Sequence, residues 1–211
     1  VNKKNRYIIG IAGGSGSGKT TLIKSLTVRF QPNQVALVSQ DNYYKATELQ
    51  PVDMNGKYNF DLPESLDRKH FFDDMVALSN GSTITKKEYT YNNSSSVSVD
   101  VVIEPAPVII MEGLFIFHYH EICNELDYKV FIEADHATRL ARRIKRDGSY
   151  RNIEEEMVRY QWQHHVRPSE EKFLEPYRDQ CHLVIDNTHS LQSGLDALIE
   201  LIEEQLVLMN N

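Results

Sequence analysis

The segment Gly13-Gly14-Ser15-Gly16-Ser17-Gly18-Lys19-Thr20 constrains this chain more than any other, because of what flanks it. Residues 6–12 form a short apolar, β-branched run, the pattern of a fully buried strand. Residues 19–30 carry Leu22, Ile23, Leu26 and Phe30 at helical spacing. A glycine-rich stretch between a buried strand and a helix is a turn under constraint, not a linker. Its spacing, Gly-x4-Gly-Lys-Thr, is that of a phosphate-binding P-loop. Glycines let successive backbone N–H groups converge on phosphate oxygens. The helix N-terminus adds partial positive charge. Lys19 supplies a point charge between the β- and γ-phosphates, and the Thr20 hydroxyl suits Mg²⁺, which retains several waters. Gly13, Gly14, Ser15, Gly16, Ser17, Gly18, Lys19, Thr20 and Thr21 are therefore expected to hold a nucleoside triphosphate.

The remaining chain reads as strands alternating with helices. Continuous apolar strands are expected at residues 34–41, 107–113, 128–134 and 182–186. Helices are expected at 66–78, 137–147, 152–165, 169–179 and 191–209, with Asn80-Gly81 closing the first of these in a left-handed backbone. Residues 83–103 alternate in polarity around "NNSSS", the signature of a β-hairpin with a polar tip. This order implies an α/β fold of P-loop NTPase type, with a five-stranded parallel sheet covered on both faces and the hairpin as an excursion. One domain is expected over residues 1–211.

Composition narrows the function classes. A net charge of −7 argues against a chain that coats nucleic acid or an anionic membrane. Cys123 and Cys181 are too few for a disulfide framework and suit free thiols in a reducing cytosol. No apolar run approaches a membrane span, and the apolar residues after the basic N-terminus are too few for a signal peptide. A soluble, cytoplasmic protein with a small-molecule partner is expected.

Two acidic residues fall at strand ends, where open α/β sheets gather their reacting groups. Asp41 could accept a proton from an attacking hydroxyl, and Glu112 could hold Mg²⁺ directly or through water. The nearest approach to a guanine-reading Asn-Lys-x-Asp is Asn124-Glu125-Leu126-Asp127, in which Glu replaces Lys. A basic cluster, "TRLARRIKRDGSYR", carries Arg139, Arg142, Arg143, Lys145, Arg146 and Arg151. It suits a solvated face, salt bridges to Glu154–Glu156, a nucleic-acid patch, or a lid over about 139–165 that neutralises charge on a transferring phosphoryl group. The P-loop favours the lid, with Gly148 as a hinge. His118, His120, His164, His165 and Trp162 read as surface or packing residues, and Arg167-Pro168 as a helix boundary.

Taken in order, "GIAGGSGSGKTTL", "VSQDNYYK", "YNFDLPESLD", "VIIMEGLFIF", "FIEADHATRLARRIKRD" and "VRPSEEKFLEPYRDQCHLVI" resemble the motifs of uridine–cytidine kinases, in the phosphoribulokinase/uridine kinase group. The resemblance implies ATP-dependent phosphorylation of a nucleoside 5′-hydroxyl, that of uridine or cytidine, with Mg²⁺ held by Thr20 and Glu112. It implies Asp41 as catalytic base, with Lys19, Arg143 and Arg146 stabilising the transferring group. It implies Tyr44 in the acceptor pocket, Asp61 on the ribose hydroxyls, Tyr89 and Tyr91 near the base, and Arg143 and Arg151 on the substrate. Such kinases are often homo-oligomers. The departures cluster in the hairpin: Tyr91 stands where the group has Phe, Ser94 where it has the base-recognising His, and Ser96 where it has Arg. Arg159 also replaces a substrate-facing Gln, and the lid is slightly short between Arg146 and Arg151. These changes touch base recognition rather than phosphate handling. Two other readings therefore remain: another alcohol acceptor (a different nucleoside, a sugar phosphate or a vitamin-like alcohol) or a nucleotide-binding regulator.

Overall fold

The computed structural model describes residues 6–91 and 97–209. Strand β1 (Tyr7–Ala12) leads through the glycine-rich loop into α1 (Lys19–Arg29) and then β2 (Val35–Ser39). After a run of short turns come α2 (Arg68–Ser79) and the antiparallel pair β3 (Ile84–Lys87) and β4 (Asp100–Ile103). Next are β5 (Val108–Gly113), the short α3 (His120–Cys123), β6 (Tyr128–Glu133) and α4 (His136–Tyr150). Helices α5 (Glu155–Gln161) and α6 (Arg167–Phe173), strand β7 (Leu183–Asp186) and helix α7 (Gln192–Met209) complete the chain.

The main sheet has the order β2-β5-β1-β6-β7, and all its pairings are parallel. Its strands point alternate side chains to opposite faces. Ile8, Ile109, Met111 and Phe131 face a cluster with Phe71 and Met75 of α2 and with Phe115 and Phe117. Ile9, Ile11, Ile110 and Ile132 face Leu22 and Leu26 of α1 and Leu198 and Ile202 of α7. Burying each large apolar side chain is worth about 2 kcal/mol, so the two clusters fix the sheet between its helices. The sheet thereby delivers the ends of β1, β2 and β5 to one edge. Ala12 pairs with Gly113, and Ser39 with Glu112. Among the described residues no helix is long and apolar enough to cross a membrane. Both cysteines are free, Cys123 buried and Cys181 partly so.

Several expected boundaries move. Residues 40–43 leave the sheet as a 3₁₀ turn, because the Ser39 hydroxyl accepts the Asp41 N–H at 3.3 Å. Only Gly81 is left-handed after α2 (φ 87°), since Asn80 has φ −87°. Helix α4 runs through Gly148 to Tyr150, so the expected hinge glycine is helical. Arg167-Pro168 does mark a helix boundary, since α6 starts there with Pro168 in its first turn, but the helical path is not broken. A π turn over Trp162–Val166 joins α5 to α6, and the wider turn absorbs the N–H that Pro168 lacks. The segment 169–179 is then only partly α-helical, because residues 175–180 wind as 3₁₀. The hairpin pairs as expected, but its "NNSSS" tip, with Ser94 and Ser96, lies outside the described residues.

Candidate active site

The loop between β1 and α1 is a cradle that side chains would fill. Gly16 and Gly18 have φ 78° and 109°, a backbone that favours glycine. A Cβ at Gly16 would lie 2.5 Å from the Arg139 carbonyl oxygen, and one at Gly18 2.1 Å from Asn187 Nδ2. Lys19 Nζ donates back across the loop to Gly13 O at 2.6 Å. Burial pushes the Lys19 ammonium down in pKa, although Glu112, Asp41 and Glu170 pull the other way. No side chain caps the N-terminus of α1, and the Ser17 hydroxyl is buried without a hydrogen-bond partner among the described residues. Open amides, a folded-back ammonium and glycines with no room for Cβ suit a phosphate chain.

Side chains from elsewhere fasten this cradle. Glu170, on α6, accepts the Ser15 N–H at 2.9 Å and forms a buried ion pair with Arg139 of α4. Arg139 Nε donates to Ser15 O at 3.0 Å. Arg142 donates to Gly16 O and, at 2.9 Å, to Asn187 O, while Asn187 Nδ2 donates to Ser17 O at 2.8 Å. Among the described residues the arginines of the basic cluster are at least partly buried and none pairs with Glu154–Glu156, while Lys145 is exposed. The carboxylate partners of these arginines are Glu170, Asp61 and Asp147. Asp147 is wholly buried and meets Arg143 at 3.2 Å, Arg146 at 2.8 Å and Arg151 at 3.1 Å. Burial works to raise the Asp147 carboxyl, yet Arg146, Arg151 and Arg143 outweigh it and the net shift is downward.

Opposite the cradle stands Asp41, whose Oδ2 accepts the Tyr91 hydroxyl at 2.6 Å. Glu112, at the end of β5, accepts the Ser39 hydroxyl. Burial and the neighbouring Asp41 charge push the Glu112 carboxyl up to about 7, with Lys19 opposing. Two carboxylates facing one gap beside Thr20 are a donor set suited to a hard divalent cation. The Tyr44 ring packs between Phe60 (6.0 Å) and Tyr89 (4.9 Å). Burial, then Asp41 and Asp61, push its phenol well up. Asp61 lies 3.7 Å from Arg143, whose Nη1 also donates to Ser15 Oγ at 3.2 Å. The Arg151 guanidinium sits 3.9 Å over the Tyr91 ring.

One cleft of about 740 Å³ collects these groups. It is lined by the loop residues from Gly14 to Thr21 except Ser17, and by Asp41, Tyr44, Asp61, Tyr89, Tyr91, Glu112, Arg143, Arg146 and Arg151. Of the residues predicted for the site, Gly13 and Ser17 stand behind the lining. Sequence reasoning missed Asp147, Glu170, Asn187, Tyr58, Phe60 and Gln161; the lone acid in "RRIKRDG" was a usable signal for the first. It also missed a clamp. Asp53 accepts Tyr160 Oη at 2.6 Å and pairs with His165 Nε2 at 2.7 Å, tying the loop that precedes Phe60 and Asp61 to the π turn. The Tyr160 bond leads in holding the Asp53 carboxyl well below the usual range. His165 is buried and reaches the cleft, whereas Trp162 is packing, as expected, against Arg139 and His136.

A phosphate cradle and a carboxylate-bearing aromatic pocket facing each other across one cleft define a P-loop kinase, an enzyme that moves a phosphoryl group to a hydroxyl. Residues 8–192 match the Phosphoribulokinase / Uridine kinase family, and the chain belongs to that family. It is 38% identical over 178 residues to a uridine kinase of Borrelia garinii subsp. bavariensis, covering 84% of this chain and 85% of the relative. It is 33% identical over 196 residues to a uridine kinase of Macrococcus caseolyticus, covering 93% and 95%. Among solved structures, the fold is similar to a putative fructose transport system kinase from Silicibacter (TM-score 0.67, 18% identity, 87% and 91% covered). It is also similar to a possible uridine kinase from Bacillus stearothermophilus (TM-score 0.55, 17% identity, 87% and 90% covered).

Proposed function

We propose that the protein phosphorylates the 5′-hydroxyl of uridine or cytidine at the expense of ATP. The observation that carries this reading is the position of Asp41, between the phosphate cradle and a pocket floored by Tyr44, Phe60 and Tyr89 with Asp61 beside it. A flat base stacks on aromatic rings, and a carboxylate accepts from both hydroxyls of a ribose. The relatives named uridine kinase support the same acceptor.

In this mechanism the acceptor O–H gives its proton to Asp41, its oxygen forms the new bond to the γ-phosphorus, and the bond to the bridging oxygen breaks, releasing ADP. Lys19, Arg143 and Arg146 balance the charge that spreads over the transferring group. Thr20 and Glu112 would hold Mg²⁺, which when bound neutralises the β- and γ-oxygens. Residues 139–165 act as the lid that keeps water from the γ-phosphate, and residues 83–103 act as the acceptor arm of a single domain. The free thiols fit a cytoplasmic location, and a homo-oligomer is part of the same reading, which the mass in solution tests.

Tyr91, in place of the group's Phe, favours one competing reading, an alcohol other than a pyrimidine nucleoside. A panel of acceptors assayed by ADP release decides between them. Turnover of uridine or cytidine well above every other alcohol is the expected result. Turnover confined to sugar phosphates, purine nucleosides or other alcohols overturns the assignment.

A further inference from the structure

Asp41 stands on a single 3₁₀ turn whose Gln40 and Tyr43 are buried, while its own carboxylate is aimed into the cleft. The 2.6 Å bond from Tyr91 Oη to its Oδ2 comes from the distant hairpin arm, fifty residues along the chain. Two other contacts hold the Tyr91 ring in that place, and a third anchors Tyr89 beside it. Arg151 covers the ring at 3.9 Å and is itself tied to the buried Asp147 at 3.1 Å. Tyr89 meets the ring edge-on, with centroids 5.0 Å apart. The Tyr89 backbone N–H donates at 3.0 Å to Asn42 Oδ1, next to Asp41 itself. The backbone of Tyr91 has φ 55°, a left-handed conformation that a bulky residue holds only when its surroundings impose it.

We propose that Tyr91 is a positioning residue for the catalytic carboxylate, holding Asp41 Oδ2 so that Oδ1 is turned toward the acceptor hydroxyl. This rests on the nucleoside kinase reading of the same site. A carboxylate has acceptor capacity on both oxygens, so Tyr91 and an acceptor hydroxyl bind Asp41 together. The hairpin then does two things at once. Tyr89 offers a ring to the base, and Tyr91 sets the group that deprotonates the acceptor. Acceptor recognition and proton transfer are thereby built on one arm, so a displaced arm leaves Asp41 misaligned while the ATP cradle is intact. A phenylalanine here keeps the ring and its stacking on Arg151 and loses only the orienting bond.

The test is Tyr91→Phe, assayed with ATP and uridine. A charge-assisted hydrogen bond lost from the reacting geometry lowers kcat by about 10-fold. The KM for uridine and the affinity for ATP stay within about twofold, and acceptor-independent ATP hydrolysis does not change. A merely structural role would move these quantities together. A wild-type kcat in Tyr91→Phe overturns the proposal. So does a rise in kcat/KM, which would make the hydroxyl a competitor of the acceptor. A second measurement reads the contact without turnover: ¹⁹F NMR of 3-fluorotyrosine placed at position 91. Its resonance should shift in Asp41→Ala and not in the remote Asp73→Ala. An unmoved resonance in Asp41→Ala means that the bond does not exist in solution and ends the proposal. If the wild type phosphorylates neither uridine nor cytidine, the nucleoside kinase reading fails, while the NMR result still decides the Tyr91–Asp41 pair.

Discussion

The two walls of the cleft are built by different means. The donor wall is backbone: amides and glycines whose shape is held from behind by Arg139, Glu170, Arg142 and Asn187. The facing wall, which the proposed function gives to the acceptor, is side chains on a turn and an arm, namely Asp41, Tyr44, Asp61, Tyr89 and Tyr91. Their charges are balanced differently too. Asp147, under the arginines, is neutralised three times over by the protein and shifts down. Glu112, at the floor of the cleft, shifts up to about 7 because burial and Asp41 outweigh Lys19. The difference teaches that the two sides are charged in opposite senses before any ligand binds. The arginine side carries more positive charge than Asp147 can neutralise, while the floor beside Thr20 is short of it.

The largest expected effect breaks one wall and spares the other. Asp41→Asn removes the proposed base and should lower kcat by about 1,000-fold. Binding of ATP, read by calorimetry, should stay within about twofold, since the cradle does not use Asp41. A comparable loss of ATP affinity would show that the two walls are not separable.

Next in size is Asp147→Ala. Three guanidiniums then crowd together with only Asp61, 3.7 Å from Arg143, as countercharge, and breaking a buried ion network costs about 3 kcal/mol. Thermal unfolding should begin about 8 °C lower. The pH dependence has a definite sign. The folded carboxyl lies below its ordinary 3.8, so its stabilisation is full above that value and disappears as pH falls through the lowered one. Wild type and variant should therefore converge in unfolding temperature in strong acid.

The contrast between the walls also explains what could be read from the sequence. The cradle was legible because a tight turn with converging amides demands glycines at fixed spacing, next to a β-branched strand. The five parallel strands were legible for the same local reason. What holds the cradle was not. Glu170 meets Ser15 across 155 residues and Arg139 across 31, and no local pattern carries that pairing. The π turn was hidden because Pro168 is a stop signal by itself, while Trp162 and Val166, both buried, hold the helix on course through it. Asp41 was found at the end of a strand, but the turn that aims it depends on the Ser39 hydroxyl. On the acceptor wall, Tyr89 and Tyr91 were visible only through family resemblance, because a polar alternating hairpin has no intrinsic sign of what its aromatics face.

A smaller effect sharpens the imbalance at the floor. The folded Glu112 carboxyl titrates near 7 against 4.5 for an ordinary one, so the ligand-free protein loses stability as pH rises between those values and stays penalised above them. Glu112→Gln removes that penalty. At pH 8 without nucleotide the variant should unfold about 3 °C higher than wild type, while its phosphotransfer falls steeply. An unfolding temperature equal to or below that of wild type would mean that Lys19 already balances the floor.

The smallest effect concerns the link between the walls. A glycine after the arginine cluster suggests a hinge for lid closure, yet Gly148 lies inside α4. A Cβ there would meet only the Ile153 carbonyl oxygen, at 3.9 Å, an ordinary contact. Glycine inside a helix costs about 0.5–1 kcal/mol relative to alanine. Gly148→Ala should therefore raise the unfolding temperature by about 2 °C and leave kcat and the KM values as they are. If instead kcat and KM change together while stability rises, α4 bends at this residue during turnover. The arginines beyond and before it would then move as two bodies, and the wall they form would be a moving part instead of a fixed one.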